Sequence, residues 1–246
     1  MSRAAGQRYL AGAMAVLAAI ADDQWPAIRR AAEMVAETVA QGGLVHAFGT
    51  GHSHMLAEEL FYRAGGLAAV NPILVDSLML HTGAERSTEL ERRKGIIGEL
   101  VEDMPFRPGD TLIVASNSGG NAACEEMAGR AISARAGVVA IVSMAHAHRS
   151  ASEGDGGGLV DLADVVIDNH GAAGDASITI EGVGSQVGPT STVAGAAIVN
   201  AIVAESVEIL TSRGVAVDLF TSSNLSGGIT VNFELAARYR ERVRAL

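Results

Sequence analysis

The sequence is poor in the residue types that several chemistries need. Cys124 is the only cysteine, so no disulfide can form within the chain. Lys94 is the only lysine and lies in a charged run, which gives little support to a Schiff-base mechanism. Aromatic residues make up 4% of the chain, so alanine, valine and isoleucine must fill its core. A net charge of −10 argues against a nucleic-acid-binding surface.

Signals for export and for membrane insertion are also missing. Asp22 and Asp23 interrupt the apolar stretch near the N-terminus, and no signal-peptide pattern precedes them. The sequence therefore predicts a soluble cytoplasmic protein that binds neither membranes nor nucleic acids. We also predict no cofactor and no metal ion.

The chain does contain strands that alternate with helices. Two amphipathic helices cover residues 1–41, and apolar strands alternate with helices over residues 42–212. This alternation predicts an α/β fold with a parallel sheet, in which ligands bind at the carboxyl ends of the strands. Residues 213–246 form a C-terminal extension, and we predict one domain over residues 1–246. The N-terminal helices would pack either on the sheet or on a second subunit.

The first strand runs into a short polar turn. Leu44 to Phe48 is a buried-type strand, and Gly49, Thr50, Gly51 and Ser53 follow it before a helical pattern begins. Backbone N–H groups at such a turn, together with the helix dipole, favour an anion, and the two hydroxyls add neutral donors. A nucleoside-triphosphate P-loop is excluded because no Gly-Lys-Ser/Thr follows the glycines. An ordinary tight turn remains the alternative.

Two further hydroxyl-rich turns each open a helix. Their polar residues are Ser116, Asn117, Ser118 and Asn121 in the second turn and Thr190, Ser191 and Thr192 in the third. Taken alone, the second turn could simply be a capped helix start with Ser118 or Asn121 as the N-cap. If the three turns meet, their composition predicts a site for a phosphate monoester on a polar molecule.

The three turns resemble those of the sugar isomerase (SIS) domain family of phosphosugar-binding proteins. The most specific match is the stretch from Ala115 to Gly119, which is similar to the family's Ser-x-Ser-Gly turn. The resemblance covers about residues 30–212 and is greatest to phosphoheptose-isomerase-like single-domain proteins. It implies a three-layer sandwich with a five-stranded parallel sheet, a sugar phosphate held by the three turns, and a homodimer or homotetramer. The His and Glu spacing of the zinc-binding phosphoheptose isomerases is not reproduced.

Interconversion of an aldose phosphate and a ketose phosphate needs a base of near-neutral pKa and an acid that opens the sugar ring. The candidate bases are Glu58, Glu59 and Glu89, and the candidate proton carriers are His81, His52 and His54. Each has a structural alternative: Glu58 or Glu59 could pair with Arg63, His54 could be a hydrogen-bonded core residue, and residues 76–94 could be a solvated helix.

Three other functions remain open. A sugar-phosphate ether lyase would use the same base with an acid for the leaving group, and a non-catalytic phosphosugar sensor would use the binding site alone. A nucleotide-cofactor enzyme is disfavoured, because His54 stands where the dinucleotide fingerprint needs its third glycine. The glycine-rich stretch at residues 153–158 is predicted to be a disordered loop.

Overall fold

The computed structural model describes residues 4–101, 106–153 and 158–246. Residues 154–157 of the loop predicted to be disordered lie outside these ranges. The helices of the described chain are α1 (Ala5–Asp23), α2 (Trp25–Ala40), α3 (Met55–Leu60), α4 (Ala84–Leu90), α5 (Ile96–Leu100), α6 (Ala122–Ser133), α7 (Met144–Glu153), α8 (Leu159–Leu162), α9 (Ser191–Ser212) and α10 (Gly228–Tyr239). The strands are β1 (Val45–Gly49), β2 (Val70–Ile73), β3 (Thr111–Ala115), β4 (Gly137–Val142), β5 (Val165–Asp168), β6 (Ala176–Ile178) and β7 (Val187–Pro189).

Five of the strands form a parallel sheet in the order β2-β1-β3-β4-β5. In the register, Val45 of β1 pairs with Val70 of β2 on one side and with Thr111 of β3 on the other. Helices cover both faces, so the predicted α/β sandwich with a five-stranded parallel sheet is confirmed. Strand order reverses between β1 and β3, and in sheets of this order a ligand crevice forms at the carboxyl ends of these two strands.

Apolar cores lie on both faces of the sheet. On one face, α2, α3 and α9 pack on inward side chains such as Val45, Ile113 and Val139. On the other, α5, α6 and α8 pack on the alternate residues, such as Leu112 and Val138. Strands buried on both sides explain the continuous apolar runs of the sequence.

The N-terminal helices and α9 differ in how much apolar surface they bury. Helix α2 packs on the sheet, whereas α1 leaves Leu10 and Met14 largely exposed.

Helix α9 is long and apolar enough to cross a membrane by length and composition alone, although the apolar runs of the sequence predicted no such segment. Its apolar composition has a local cause, because residues such as Ile198 and Ile202 are buried in the core between α2, α3 and the sheet.

Two regions differ from the sequence-based expectation. Residues 76–94 are not one solvated helix but two short 3-10 turns followed by α4. Gly83, with a φ of 143°, separates the second turn from α4. Ser87 is buried there, and its hydroxyl donates to the Leu78 carbonyl oxygen at 2.8 Å. The antiparallel hairpin of β6 and β7, which precedes α9, was not predicted. Its strands are only three residues long, and short strands leave little pattern in a sequence.

The C-terminal extension returns to the first half of the chain. The N–H of Ala68 donates to the Asp218 carbonyl oxygen, the N–H of Phe220 donates to the Gly66 carbonyl oxygen, and Leu235 of α10 packs on Ala68 and Phe220. Beyond α10, Arg242 reaches the buried Asp110 immediately before β3. The end of the chain therefore covers the amino-terminal edge of the sheet, opposite the predicted ligand crevice.

Candidate functional site

A cavity at the carboxyl-terminal edge of the sheet brings residues of the three turns together. It holds about 280 Å³ of empty space, part of which is open to solvent. Its walls are formed by His52, Ser53, Leu56, Ala115, Asn117, Ile141, Asn169, Ser191 and Thr192. Four of the eleven residues predicted to bind a phosphosugar therefore share this cavity, and each of the three turns supplies at least one.

The first turn is tight because its backbone packs on itself. A Cβ atom at Gly49 would lie 2.5 Å from the carbonyl oxygen of Ser53, so only glycine fits there. Gly51 has a φ of 55°, which glycine adopts readily, and residues Gly51–His54 form a 3-10 helix that leads into α3. This path places Ser53 on the cavity wall and Thr50 behind it, where Thr50 is buried.

Thr50 joins the first turn to the second. Its hydroxyl donates to Oε2 of Glu91 at 2.6 Å and accepts from Nδ2 of Asn121 at 2.9 Å. The Asn121 side chain also accepts from the backbone N–H of Cys124, so Asn121 is the N-cap of α6. The crevice between β1 and β3 is thus bridged by a hydrogen-bonded chain that ends at a carboxylate.

Glu91 was not among the residues predicted from the sequence. Burial raises the pKa of its carboxyl, and the hydrogen bond from Thr50 opposes this only in part. A carboxyl with a raised pKa beside a ligand crevice is a candidate proton acceptor. Glu91 belongs to a run of charged residues that is typical of an exposed surface. Only the fold shows that its carboxyl is partly buried beside Thr50.

The second turn gathers small donors around two glycines. Gly119 and Gly120 have φ angles of 80° and 126°, which lets the chain curl back on Ser116. The Gly120 N–H donates to Oγ of Ser116 at 3.1 Å, while the hydroxyl oxygens of Ser116 and Ser118 lie 3.4 Å apart. Backbone N–H groups in such a curl, with two hydroxyls beside them, suit a small anion.

Asn117 connects the second turn to the end of β5. Its Oδ1 accepts from Nδ2 of Asn169 at 3.0 Å, and its Nδ2 lies 3.4 Å from Nδ1 of His146. Asn169 also lines the cavity and was not among the predicted binding residues. It could have been found from the sequence, because it directly follows a strand and strand ends meet at this edge.

At the third turn, the donors are already occupied by a carboxylate of the same chain. Asp175 accepts from the backbone N–H groups of Thr190 and Ser191 at 3.1 and 2.9 Å and from the Ser191 hydroxyl at 2.5 Å. Asp175 itself has a φ of 65°, a conformation uncommon outside glycine. An anion could use these three donors only by displacing Asp175, so the third turn offers the cavity the Thr192 side chain and the Ser191 hydroxyl oxygen as an acceptor.

None of the four predicted catalytic residues belongs to the described walls of the cavity. Glu58 is exposed and lies 3.7 Å from Nε2 of His54, while Glu59 pairs with Arg63 and accepts from Asn200. His81 and Glu89 are exposed on the segment after β2. Their catalytic roles stay predictions.

Two further observations bear on the chemistry of the site. Burial, with the charge of Glu91 nearby, raises the pKa of the Cys124 thiol to about 12, so this cysteine is not a nucleophile at neutral pH. Within the ranges that the structure describes, no three histidine, cysteine or acidic side chains are grouped so that they could hold a metal ion.

Comparison with known proteins gives one family match and many relatives. The model of a family described as "SIS domain" matches residues 8–143. A UPF0309 protein of Brucella anthropi is 46% identical over 213 residues, which cover 87% of each chain. A UPF0309 protein of Geobacillus kaustophilus is 40% identical over 220 residues, which cover 89% of this chain and 88% of the relative.

Solved structures give the same fold at low sequence identity. A phosphoheptose isomerase of Francisella tularensis aligns with a TM-score of 0.52 and 16% identity, covering 81% of this chain and 95% of its own. A phosphoheptose isomerase of Neisseria gonorrhoeae aligns with a TM-score of 0.51 and 18% identity, covering 83% of this chain and 96% of its own. These likenesses show a shared architecture of sheet and helices.

Proposed function

Because the chain belongs to the SIS domain family, we propose that it binds a sugar phosphate at the carboxyl-terminal edge of its sheet and interconverts the aldose and ketose forms. The observation that carries this proposal is the cavity on which all three hydroxyl-rich turns border. In the proposed arrangement the second turn holds the phosphate, and Ser53, Asn117, Ser191 and Thr192 contact the sugar.

The charges around the cavity support this orientation. A phosphate dianion beside Asp175 would be repelled by that carboxylate, which already takes the N–H groups of the third turn. At the second turn, a Glu125 carboxylate oxygen lies close to Gly120, but no described carboxylate accepts from the N–H groups of residues 116–120. This turn therefore still offers Ser116, Ser118 and backbone N–H groups.

A glutamate is the proposed base. In the isomerisation it removes a proton from the carbon next to the aldehyde of the open-chain sugar and returns it to the former aldehyde carbon. A second proton passes from the hydroxyl oxygen on that neighbouring carbon to the former aldehyde oxygen, so no proton is gained or lost overall. Glu91 is the candidate that the geometry favours, because its carboxyl combines a raised pKa with a place at the crevice. Glu58, Glu59 and Glu89 are the alternatives, and His52, His54 and His81 are candidates for the ring-opening acid.

A thermal-shift screen tests the binding step. Hexose, heptose and amino-sugar phosphates should raise the melting temperature, since a ligand that binds only the folded state stabilises it by mass action. Their unphosphorylated sugars should not. Ser118→Ala should weaken binding roughly tenfold or more, because a hydrogen bond to a charged group is lost. Ser133→Ala, which removes an exposed hydroxyl of α6, is the matched control. If no sugar phosphate stabilises the protein, the proposal is wrong.

Product analysis by NMR then identifies the reaction. An isomerase converts each stabilising aldose phosphate into a ketose phosphate of the same mass, whereas an ether lyase releases a carboxylic acid and a sensor leaves its ligand unchanged. Glu91→Gln should bind the ligand and lose turnover. If Glu91→Gln retains turnover and Glu58→Gln, Glu59→Gln or Glu89→Gln loses it, the base is that residue instead.

A further inference from the structure

A second cleft lies at the amino-terminal edge of the sheet, opposite the candidate site. It forms where the chain between α2 and β1 faces the turn before β3, and Arg242 of the C-terminal extension closes one side. Its empty space is about 470 Å³, part of it open to solvent, which exceeds that of the candidate site. No role in the proposed function uses this cleft.

The carboxylate at the base of this cleft is fully engaged within the protein. Asp110 is buried and accepts from the backbone N–H groups of Leu44 and Arg107, each at 2.8 Å. It also accepts from Nε2 of His46 at 3.1 Å and from Nη2 of Arg242 at 3.1 and 3.2 Å. Its negative charge is therefore matched by one guanidinium and several N–H groups and is not available to a ligand.

The two arginines of the cleft, in contrast, keep unused donors. Nε of Arg242 is buried and has no hydrogen-bond partner in the described chain. Arg107 uses its backbone N–H on Asp110, but its exposed guanidinium forms no ion pair with a described carboxylate. A buried donor without an acceptor costs free energy, and an anion that reached it would remove that cost. Counted over its described lining residues, the cleft thus carries one more positive than negative charge, in a chain whose net charge is −10.

Glycines keep the floor of the cleft open. At Gly43 a Cβ atom would lie 3.0 Å from Thr38 and 3.1 Å from Asp110, and at Gly109 it would lie 3.2 Å from Oε1 of Gln41. Gly109 also has a φ of 87°, which disfavours a side chain. With glycine at both positions, the backbone of Gly43 and Gly109 is accessible to a molecule that lies in the cleft with Arg107 and Arg242.

We propose that this cleft is a second binding site, for a small anion that carries a phosphate or carboxylate group. Guanidinium groups bind both anions through paired hydrogen bonds, and two arginines on separate elements could hold one anion between them. Because Arg242 belongs to the C-terminal extension, a bound anion would fasten that extension to the sheet. The inference does not rest on the proposed function, since the two sites lie at opposite edges.

Titration of the ¹⁵N-labelled full chain with inorganic phosphate, followed by two-dimensional NMR, tests the proposal. We expect the amide signals of Gly42, Gly43 and Gly109 and the Nε–H signal of Arg242 to shift with one common dissociation constant. Arg107→Gln should weaken this binding at least roughly tenfold. Because Arg107 is exposed, the change should leave folding intact. A parallel titration with citrate shows whether carboxylates bind there as well.

Two controls make the result decisive. Arg30→Gln removes an equally exposed arginine of α2 and should leave the shifts unchanged, and so should Ser118→Ala at the other edge. If the four signals do not respond to phosphate or citrate, or respond equally in Arg107→Gln, the second site does not exist as proposed. Either outcome leaves the proposed sugar-phosphate site untouched, because its shifts arise at Ser118 and its neighbours.

Discussion

Two polar groups at opposite edges of the sheet, Asp110 and Ser118, differ in how firmly the protein binds them. At the amino-terminal edge, Asp110 accepts five hydrogen bonds of 2.8–3.2 Å, and Thr38 and Thr111 share a buried bond of 2.8 Å. At the carboxyl-terminal edge, the contacts of Ser118 with Ser116 and Gly120 are both 3.4 Å long. Contacts of this length are weak, so the Ser118 hydroxyl remains able to bind a ligand.

This difference separates groups that serve folding from groups that are left for a ligand. A buried carboxylate with four donor groups stabilises the state in which all its partners are in place. Loosely bonded hydroxyls beside a cavity add little to stability and lose little when they turn toward a phosphate. We therefore expect substitutions at the first edge to change mainly the free energy of unfolding, and substitutions at the second edge to change mainly binding.

The largest effect is expected for Asp110→Asn. The change leaves Arg242 buried opposite an amide and replaces one acceptor oxygen by a donor that faces N–H groups. Breaking a buried pair in this way costs about 3–5 kcal/mol. Urea denaturation followed by circular dichroism measures it, and sugar-phosphate binding by the folded fraction should be unchanged. A loss below about 1 kcal/mol would show that the two edges do not differ as described.

The same carboxylate predicts a dependence of stability on pH. Burial opposes the ionisation of Asp110, but hydrogen bonds from His46 and from the backbone N–H groups of Leu44 and Arg107 outweigh it and lower the pKa to about 2. Since the folded pKa is below the unfolded value of about 3.8, this stabilisation is present above pH 4 and is lost as the pH falls toward 2. Asp110→Asn should remove that part of the acid sensitivity, which denaturation at a series of pH values would detect.

Asp175→Ala is expected to have a smaller effect on stability and a distinct effect on binding. It removes the acceptor of two N–H groups at the start of α9, and loss of such a cap costs about 0.5–2 kcal/mol. The freed donors, without a carboxylate beside them, should bind inorganic phosphate more tightly than the original chain does. Calorimetric titration measures this gain.

Asp175→Asn provides the matched control for that experiment. An asparagine tolerates the positive φ at this position and keeps one acceptor oxygen, so its stability should lie between those of the original chain and the alanine variant. If neither variant gains affinity for phosphate, the carboxylate of Asp175 does not keep anions from the third turn.

Much of the fold and part of the site follow from the sequence. Alternation of apolar strands and helices predicts the parallel sheet, and the three turns at the strand ends predict which edge holds the cavity. Other features depend on contacts between distant segments, which local patterns do not encode. Glu91 looks like a surface charge until β1 places Thr50 beside it, and Asp175 precedes a hairpin too short to recognise.

Glu91→Gln is expected to change the free energy of unfolding only slightly, and in the opposite direction to Asp110→Asn. The folded state raises the pKa of Glu91 above 4.5, so any stabilisation by this group is present at low pH and is lost as the pH rises through the folded pKa. Glu91→Gln keeps an oxygen that can accept from Thr50 and removes a partly buried charge. At pH 7 this variant should therefore be at least as stable as the original chain, in contrast to Asp110→Asn. Paired urea curves for the two variants give the comparison directly.

The smallest effect is expected for Glu58→Gln. The Glu58 carboxylate is mostly exposed and lies 3.7 Å from His54, and exposed pairs contribute about 0–1 kcal/mol. Its stability and its affinity for a sugar phosphate should match those of the original chain, so turnover alone distinguishes the two candidate bases. If Glu58→Gln turns over substrate and Glu91→Gln does not, the base is the partly buried glutamate that looked solvated in the sequence. The reverse result would mean that catalysis at this edge depends on an exposed side chain of α3, and that the raised pKa of Glu91 reflects its burial beside Thr50 and nothing more.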